Sequence, residues 1–279
     1  MEILAATISR YLYIIPGGYF LVQVLKKLFS KKYENPEWRT FSFRGITMKV
    51  DISKSMGLAI YWRGAHDWRP IFAMEKLLQK GNTVVDIGAN QGEYSLWSAR
   101  IVGKEGKVYA FEPLSSIFGR LQENIALNPD LQKTIIPVHL GLSDKKGTLK
   151  LYSSDLSNEG VNTLYKEEGS VFLEDIELST LDQEWEKIGN PKLDLLKIDV
   201  EGAELPVLLG AEKTIAKFLP IIFLEINQEA CKAAGYKASD ILEFLTKFGY
   251  SFELIGLRGK TTKVISEKLP GFCNIIAKK

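Results

Sequence analysis

The sequence predicts an α/β doubly wound domain, preceded by an N-terminal helical segment and interrupted by an inserted hairpin. Three observations predict it. From about residue 68 onward, short apolar runs alternate with helical stretches, the pattern of successive β-α units in a parallel sheet. One run, Val84-Val85-Asp86-Ile87, ends in a glycine turn, Gly88-Ala89-Asn90-Gln91-Gly92, that opens into a helix. The composition, 46% hydrophobic and 25% charged over 279 residues, is that of a globular chain long enough to bury a core.

The first thirty residues look apolar, but Arg10 interrupts the run and Pro16-Gly17-Gly18 breaks it midway. Its charge-free part, Tyr11 to Leu25, is 15 residues, short of the ~20 needed to span a bilayer. There is no short basic start followed by an unbroken apolar core and a small-residue cleavage site. Two readings stay open. One is a pair of short helices, split at Pro16 and packed on the main domain. The other is an interfacial anchor, with Tyr and Phe on one side and Lys26, Lys27, Lys31 and Lys32 facing anionic headgroups.

Residues 41–52 alternate well enough for a hairpin around Arg44-Gly45. Residues 1–67 are therefore read as a helical segment and hairpin, a cap on the substrate side or a membrane-interface element, and residues 68–279 as the main domain. Its expected strands are Thr83–Ile87, Lys107–Glu112, Thr134–Leu140, Leu193–Asp199 and Ile221–Ile226. Between them lie helical stretches at Tyr94–Ile101, Ser115–Asn128, Glu204–Lys217 and Ala238–Phe248. Two late strands, Ser251–Ile255 and Phe272–Ala277, are close enough to pair antiparallel at one edge. Residues 147–180 break the alternation with strand-like pieces and a polar loop, Ser153–Thr163, and read as an inserted hairpin that covers a site.

Charge is unevenly spread. Residues 1–49 carry eight Lys/Arg against three Asp/Glu, and the rest 28 against 31. A main domain with net negative charge is a poor partner for a phosphate backbone, so nucleic acid is not expected. Cys231 and Cys273 form no CxxC, and His66 and His139 are the only histidines, so no Cys/His zinc site is expected. Sparse cysteine suits a reducing, cytoplasmic setting, with peripheral contact at the membrane if the anchor reading holds.

In such sheets, ligands bind beyond the carboxyl ends of the strands. The glycine turn is G-x-x-x-G rather than the G-x-G-x-x-G of a dinucleotide site, and Asp86 precedes it, so a cationic or zwitterionic ligand fits better than a pyrophosphate. The next strand ends in Glu112, placed to accept the two hydroxyls of a ribose. Together these residues point to a nucleoside without a phosphate loop.

DIGANQG at Asp86–Gly92, FEP at Phe111–Pro113, ENIALN at Glu123–Asn128, LSD at Leu142–Asp144, TLD at Thr180–Asp182 and KIDVEGAE at Lys197–Glu204 resemble the FkbM family of S-adenosylmethionine-dependent methyltransferases, in order across residues 65–279. The resemblance implies a class I (Rossmann-like) methyltransferase fold, seven strands with a final antiparallel one, and S-adenosyl-L-methionine as cofactor. By position, it implies that Asp86, Gly88, Asn90 and Gly92 line the methionine moiety and ribose. Glu112 would hold the ribose hydroxyls, and Ser143 and Asp144 would lie near the adenine. Asn124 is read as packing or capping within its helix.

Oxygen methylation is an in-line displacement at the sulfonium methyl by a hydroxyl, and a base or a metal is expected to help remove the hydroxyl proton. Asp199 is the first candidate base, Glu201 the second, and His66, beside Asp67 and Trp68, a third. Lys197 is expected to pair with a carboxylate, Glu204 to begin a helix, and His139 to be a core residue. The expected acceptor is a hydroxylated small molecule or glycan, most concretely a sugar hydroxyl. The alternatives are a non-sugar acceptor and a non-catalytic cofactor-binding scaffold. A nucleic-acid amine methylase would present an N/D-P-P-Y/F turn where this chain has Asp199-Val200-Glu201-Gly202. Gly259-Lys260-Thr261 lacks the earlier glycine of a phosphate loop and reads as a hairpin turn.

Overall fold

The computed structural model describes residues 1–153, 162–163, 171–264 and 269–279. Most of the expected polar loop Ser153–Thr163 lies outside them. The chain forms two compact units, one built on Met1–Trp68 and the other beginning at Arg69.

In the first unit, helices α1 (Glu2–Tyr13) and α2 (Gly18–Phe29) are joined by a turn at the expected break and pack on each other. Strands β1 (Trp38–Phe43) and β2 (Ile46–Asp51) pair antiparallel around Arg44-Gly45, both at positive φ, and α3 (Ser55–Arg63) follows. Phe41, Phe43, Met48 and Val50 supply the buried face of this hairpin. Arg10 is buried with its guanidinium on the Tyr61 carbonyl at 2.7 Å and over the Phe41 ring, which accommodates a charge within the apolar helix.

The second unit opens with α4 (Trp68–Leu77), whose first residue belongs to the other unit. Then come β3 (Thr83–Ile87), α5 (Glu93–Val102), β4 (Lys107–Phe111), α6 (Ser115–Ala126) and β5 (Ile135–Val138). An insertion follows, with β6 (Gly141–Leu142), β7 (Gly147–Ser153), β8 (Asn162–Thr163) and β9 (Val171–Ser179). The alternation resumes with α7 (Leu181–Lys187), β10 (Leu195–Ile198), α8 (Glu204–Leu209), α9 (Glu212–Phe218) and β11 (Ile221–Asn227). Last come α10 (Gln228–Ala233), α11 (Ala238–Thr246), β12 (Ser251–Ile255), β13 (Thr261–Lys263) and β14 (Phe272–Lys278).

The main sheet runs β13-β12-β14-β11-β10-β3-β4-β5. Strands β3, β4, β5, β10 and β11 are parallel, while β14 lies antiparallel between β11 and β12. This is the class I methyltransferase arrangement. All seven expected strands are present, and Thr261–Lys263 adds an eighth at the edge, so Gly259-Lys260-Thr261 lies in a hairpin turn. The strand order reverses between β3 and β10, the switch point where such sheets bind ligands. Val85, Ile87, Leu196, Ile198, Leu224 and Ile226 carry the core into Trp185, Val207, Ile215 and Ile241 of the covering helices.

Three expectations need correction. The third strand ends at Val138, so His139 is an exposed residue stacked on Phe118 at 4.6 Å rather than a core residue. The single helix expected over Glu204–Lys217 is two, α8 and α9, because the chain turns at Gly210-Ala211. There the Asp182 carboxylate caps the next helix through the backbone N–H groups of Lys213 and Thr214. The inserted hairpin is present as β7 and β9, but β6 joins parallel to β9 and β8 to β7, making a four-stranded mixed sheet.

Candidate active site

The site grows from the carboxyl ends of β3, β4, β10 and β11. Lys197 and Asp86 face each other in register across β10 and β3. The Lys197 ammonium lies 2.9 Å from Asp86 Oδ1, 3.4 Å from Asp199 Oδ2 and 2.9 Å from the Gly88 carbonyl, and sits over the Tyr94 ring. Burial works against that charge, but Asp86 and Asp199 hold the lysine above its ordinary pKa, with Glu225 adding to them. Asp86 accepts a second bond from Ser95 Oγ at 2.6 Å, so its carboxylate is engaged below the surface of the site. Lys197 thus pairs with carboxylates, as expected of it.

The glycine turn is held by its neighbours. Gly88 and Ala89 both donate to the Phe111 carbonyl, and Gly88 has φ +73°. A Cβ there would stand 2.0 Å from the Asp199 carbonyl oxygen, so the loops after β3 and β10 touch backbone to backbone. Gly92, at φ +94°, caps the start of α5 and lies against Leu121. Asn90 also takes a left-handed conformation, one that asparagine tolerates, and its N–H donates to Glu112 Oε2 at 2.9 Å. Asn124 packs within its helix, as expected. It is buried in α6 and donates from Nδ2 to the Gln91 carbonyl at 2.9 Å, fixing the turn from behind. The Asn128 amide in turn donates to the Asn124 carbonyl at 2.7 Å.

Glu112 also accepts from the Leu114 N–H, at 3.0 Å, and is buried; burial raises its pKa to about 7. Asn90, Glu112 and the turn are therefore one assembly. Ser143 and Asp144 lie together farther along, the serine hydroxyl donating to Asp144 Oδ1 at 3.1 Å and its N–H to the Ser179 carbonyl. Ser143 is buried and Asp144 exposed.

On the other side of Lys197, a small cleft is lined by Tyr94, Asp199, Glu225 and Asn274, with Pro70 and Met74 among its apolar walls. Asp199 is half-buried there. Glu201 receives a bond from Asn227 Nδ2 at 3.5 Å, and its pKa is raised by burial first and then by the charge of Asp199. Glu204 begins α8, as expected, but its carboxyl is buried, accepting from Tyr236 Oη at 2.6 Å and the Gly202 N–H at 3.2 Å. Burial raises its pKa to about 7. His66 lies in the exposed bend between α3 and α4, within the N-terminal unit. Among the described residues, no group of three or more His, Cys, Asp or Glu side chains is arranged to hold a metal ion.

Lys197 is thus in contact with Asp86 and Asp199, with Glu225 close enough to act on it, so acidic groups outnumber the one lysine. Such a site favours a cationic ligand.

Residues 86–252 match the methyltransferase FkbM domain. The hexuronic acid methyltransferase AglP of Haloferax volcanii is 29% identical over 190 residues, covering 68% of this chain and 72% of that protein. The methyltransferase sdnD of Sordaria araneosa is 34% identical over 158 residues, covering 47% of this chain and 60% of that protein. A crystal structure of a methyltransferase FkbM from Methylobacillus flagellatus KT aligns with 75% of this chain at 16% identity and a TM-score of 0.48. The chain spans about half of that protein, 48%.

Proposed function

The chain belongs to the FkbM methyltransferase family, and from that premise we propose that it methylates a hydroxyl of a sugar or glycan. Its cofactor is S-adenosyl-L-methionine, which supplies, when bound, a methyl group on a positively charged sulfur. The residues suit that group. The carboxylates around Lys197 favour a cation, and the buried Glu112 carboxyl, beside the turn, suits a pair of ribose hydroxyls. In this reading Gly88, Asn90 and Gly92 line the methionine moiety and ribose, and Ser143 and Asp144 border the adenine. Asp86 acts from beneath, through Lys197 and Ser95.

The observation that carries the oxygen-methylation reading is the carboxylate pair at the end of β10. Asp199 takes the acceptor proton, and Lys197 fixes its orientation at 3.4 Å. Glu201 is the second candidate, its pKa raised by burial and by the charge of Asp199, the direction that favours a base, and His66 the third. The sugar acceptor is supported by the likeness to the hexuronic acid methyltransferase. The buried thiols Cys231 and Cys273 suit a reducing, cytoplasmic setting.

Incubation with methyl-labelled cofactor and a panel of acceptors tests this: a uronic-acid glycan, a neutral oligosaccharide and non-sugar alcohols. The expected product is an alkali-stable methyl ether on a sugar. Label confined to an alkali-labile ester, or to a non-sugar alcohol, would overturn the acceptor reading. Cofactor binding with no turnover on any acceptor would favour a scaffold.

A further inference from the structure

Helix α1 is inverted with respect to an ordinary surface helix. It buries Ala5, Ala6, Ser9 and Arg10 and exposes Ile3, Leu4, Ile8 and Tyr11 on the opposite side. Helix α2 buries only Gly18 and Val22 and exposes Phe20 at 74%, Leu21 at 54%, Val24 at 56% and Leu28 at 68%. Among the described residues, eleven of the nineteen exposed large apolar side chains fall within residues 1–28. Scattered exposed apolar residues need no explanation, but a contiguous concentration of this kind marks an interaction surface.

The hairpin that carries them is well defined. Gly17 takes φ +78°, and a Cβ on Gly18 would fall 1.7 Å from the Leu12 carbonyl oxygen, so the two helices close tightly. Each has 12 residues, about 18 Å of helix, well short of a bilayer core of about 30 Å. No helix among the described residues is long and apolar enough to cross a membrane.

Charge decides the occupant. Lys27, Lys31 and Lys32 are exposed at the end of α2. The only acid before them, Glu2, is bonded by Tyr33 Oη at 2.8 Å and lies 3.4 Å from Arg39 Nε, so its charge is answered locally. Tyr11 and Tyr19 border the apolar face, the residue type favoured where hydrocarbon meets headgroup. We infer that the α1–α2 hairpin lies in the interface of an anionic membrane, its leucine, isoleucine and phenylalanine side chains among the acyl chains and its lysines on the headgroups.

Co-sedimentation of the full chain with vesicles tests this without reference to methyl transfer. Vesicles of phosphatidylcholine containing phosphatidylserine should capture the protein, and pure phosphatidylcholine should do so at least about tenfold more weakly. Added salt should release part of it. Phe20→Ser with Leu28→Ser, and separately Lys27→Glu with Lys31→Glu and Lys32→Glu, should each weaken capture at an unchanged melting temperature. These side chains are exposed, so the variants should fold. No capture by either vesicle, equal capture by both, or capture that survives both sets of substitutions would overturn the inference. So would a stable dimer, by light scattering, that the Phe20 and Leu28 substitutions dissociate, because a second copy would then own the face.

Discussion

The ammonium of Lys197 lies 2.9 Å from Oδ1 of Asp86, and both side chains are nearly sealed from solvent, at 6% and 1% exposure. The pair joins the switch-point strands β10 and β3 directly beneath the glycine turn. Removing one partner leaves the other charge buried alone. Lys197→Met should therefore cost about 3–5 kcal/mol of stability by urea denaturation. Adding Asp86→Asn should recover part of the loss. A single variant as stable as the wild type would remove the pair from the architecture.

Gly88→Ala is a backbone test. The new Cβ would meet the Asp199 carbonyl oxygen at 2.0 Å, at a φ of +73° that disfavours any side chain. Destabilisation should exceed about 1 kcal/mol, and cofactor binding should weaken as the loops after β3 and β10 separate. Gly119→Ala in α6 is the control. A Cβ there meets nothing within 4 Å, and the change should stabilise by about 0.5–1 kcal/mol. Thermal melts of the two variants side by side would check both signs.

Two buried acids should shape the pH dependence of stability. Glu112 and Glu204 are raised by burial from 4.5 to about 7, so the folded protein keeps protons that the unfolded chain releases. Their contribution is present in full below about pH 4.5 and is lost as the pH rises toward 7, about 3 kcal/mol for each at most. Denaturation midpoints between pH 5 and 8 should fall with rising pH, and Glu204→Gln should flatten the slope. A slope unchanged in that variant would contradict the burial argument.

Asp199→Asn should leave S-adenosylhomocysteine binding near wild type and lower kcat by about 10²–10⁴-fold, the usual contribution of a positioned base. Glu201→Gln and His66→Ala are the comparison variants. Wild-type turnover in Asp199→Asn, with a large loss in one of the others, would move the base to that residue.

The parts of the fold that follow from local pattern were readable in the sequence. Val84-Val85, Val108 and Leu195-Leu196 are apolar on successive positions, because strands within a parallel sheet are covered on both faces. Pro137 fits its strand because β5 is an edge of the sheet and its missing N–H breaks no ladder. What was hidden depended on distant partners. The break between α8 and α9 rests on the Asp182 carboxylate, thirty-odd residues away in sequence. Gly210 at that break packs against the Ser143 carbonyl, where a Cβ would stand at 2.0 Å. His139 looked like core because the apolar run Ile135–Val138 seems to continue to Leu140, but the chain leaves the sheet at Val138. At the site, the residue types were legible and their coupling was not. No spacing rule reports that Asn90 and Glu112 bond each other, or that Asn124 holds the Gln91 carbonyl.

Whether the glycine turn and the end of β4 together hold the cofactor is tested most directly by calorimetric titration with S-adenosylhomocysteine. NAD and ATP serve as controls. The wild type should bind S-adenosylhomocysteine selectively. Glu112→Ala should lose about 1.5–3 kcal/mol of affinity, roughly 10- to 150-fold, while remaining folded. An unchanged dissociation constant in a folded Glu112→Ala variant would contradict the account and remove Glu112 from the cofactor site.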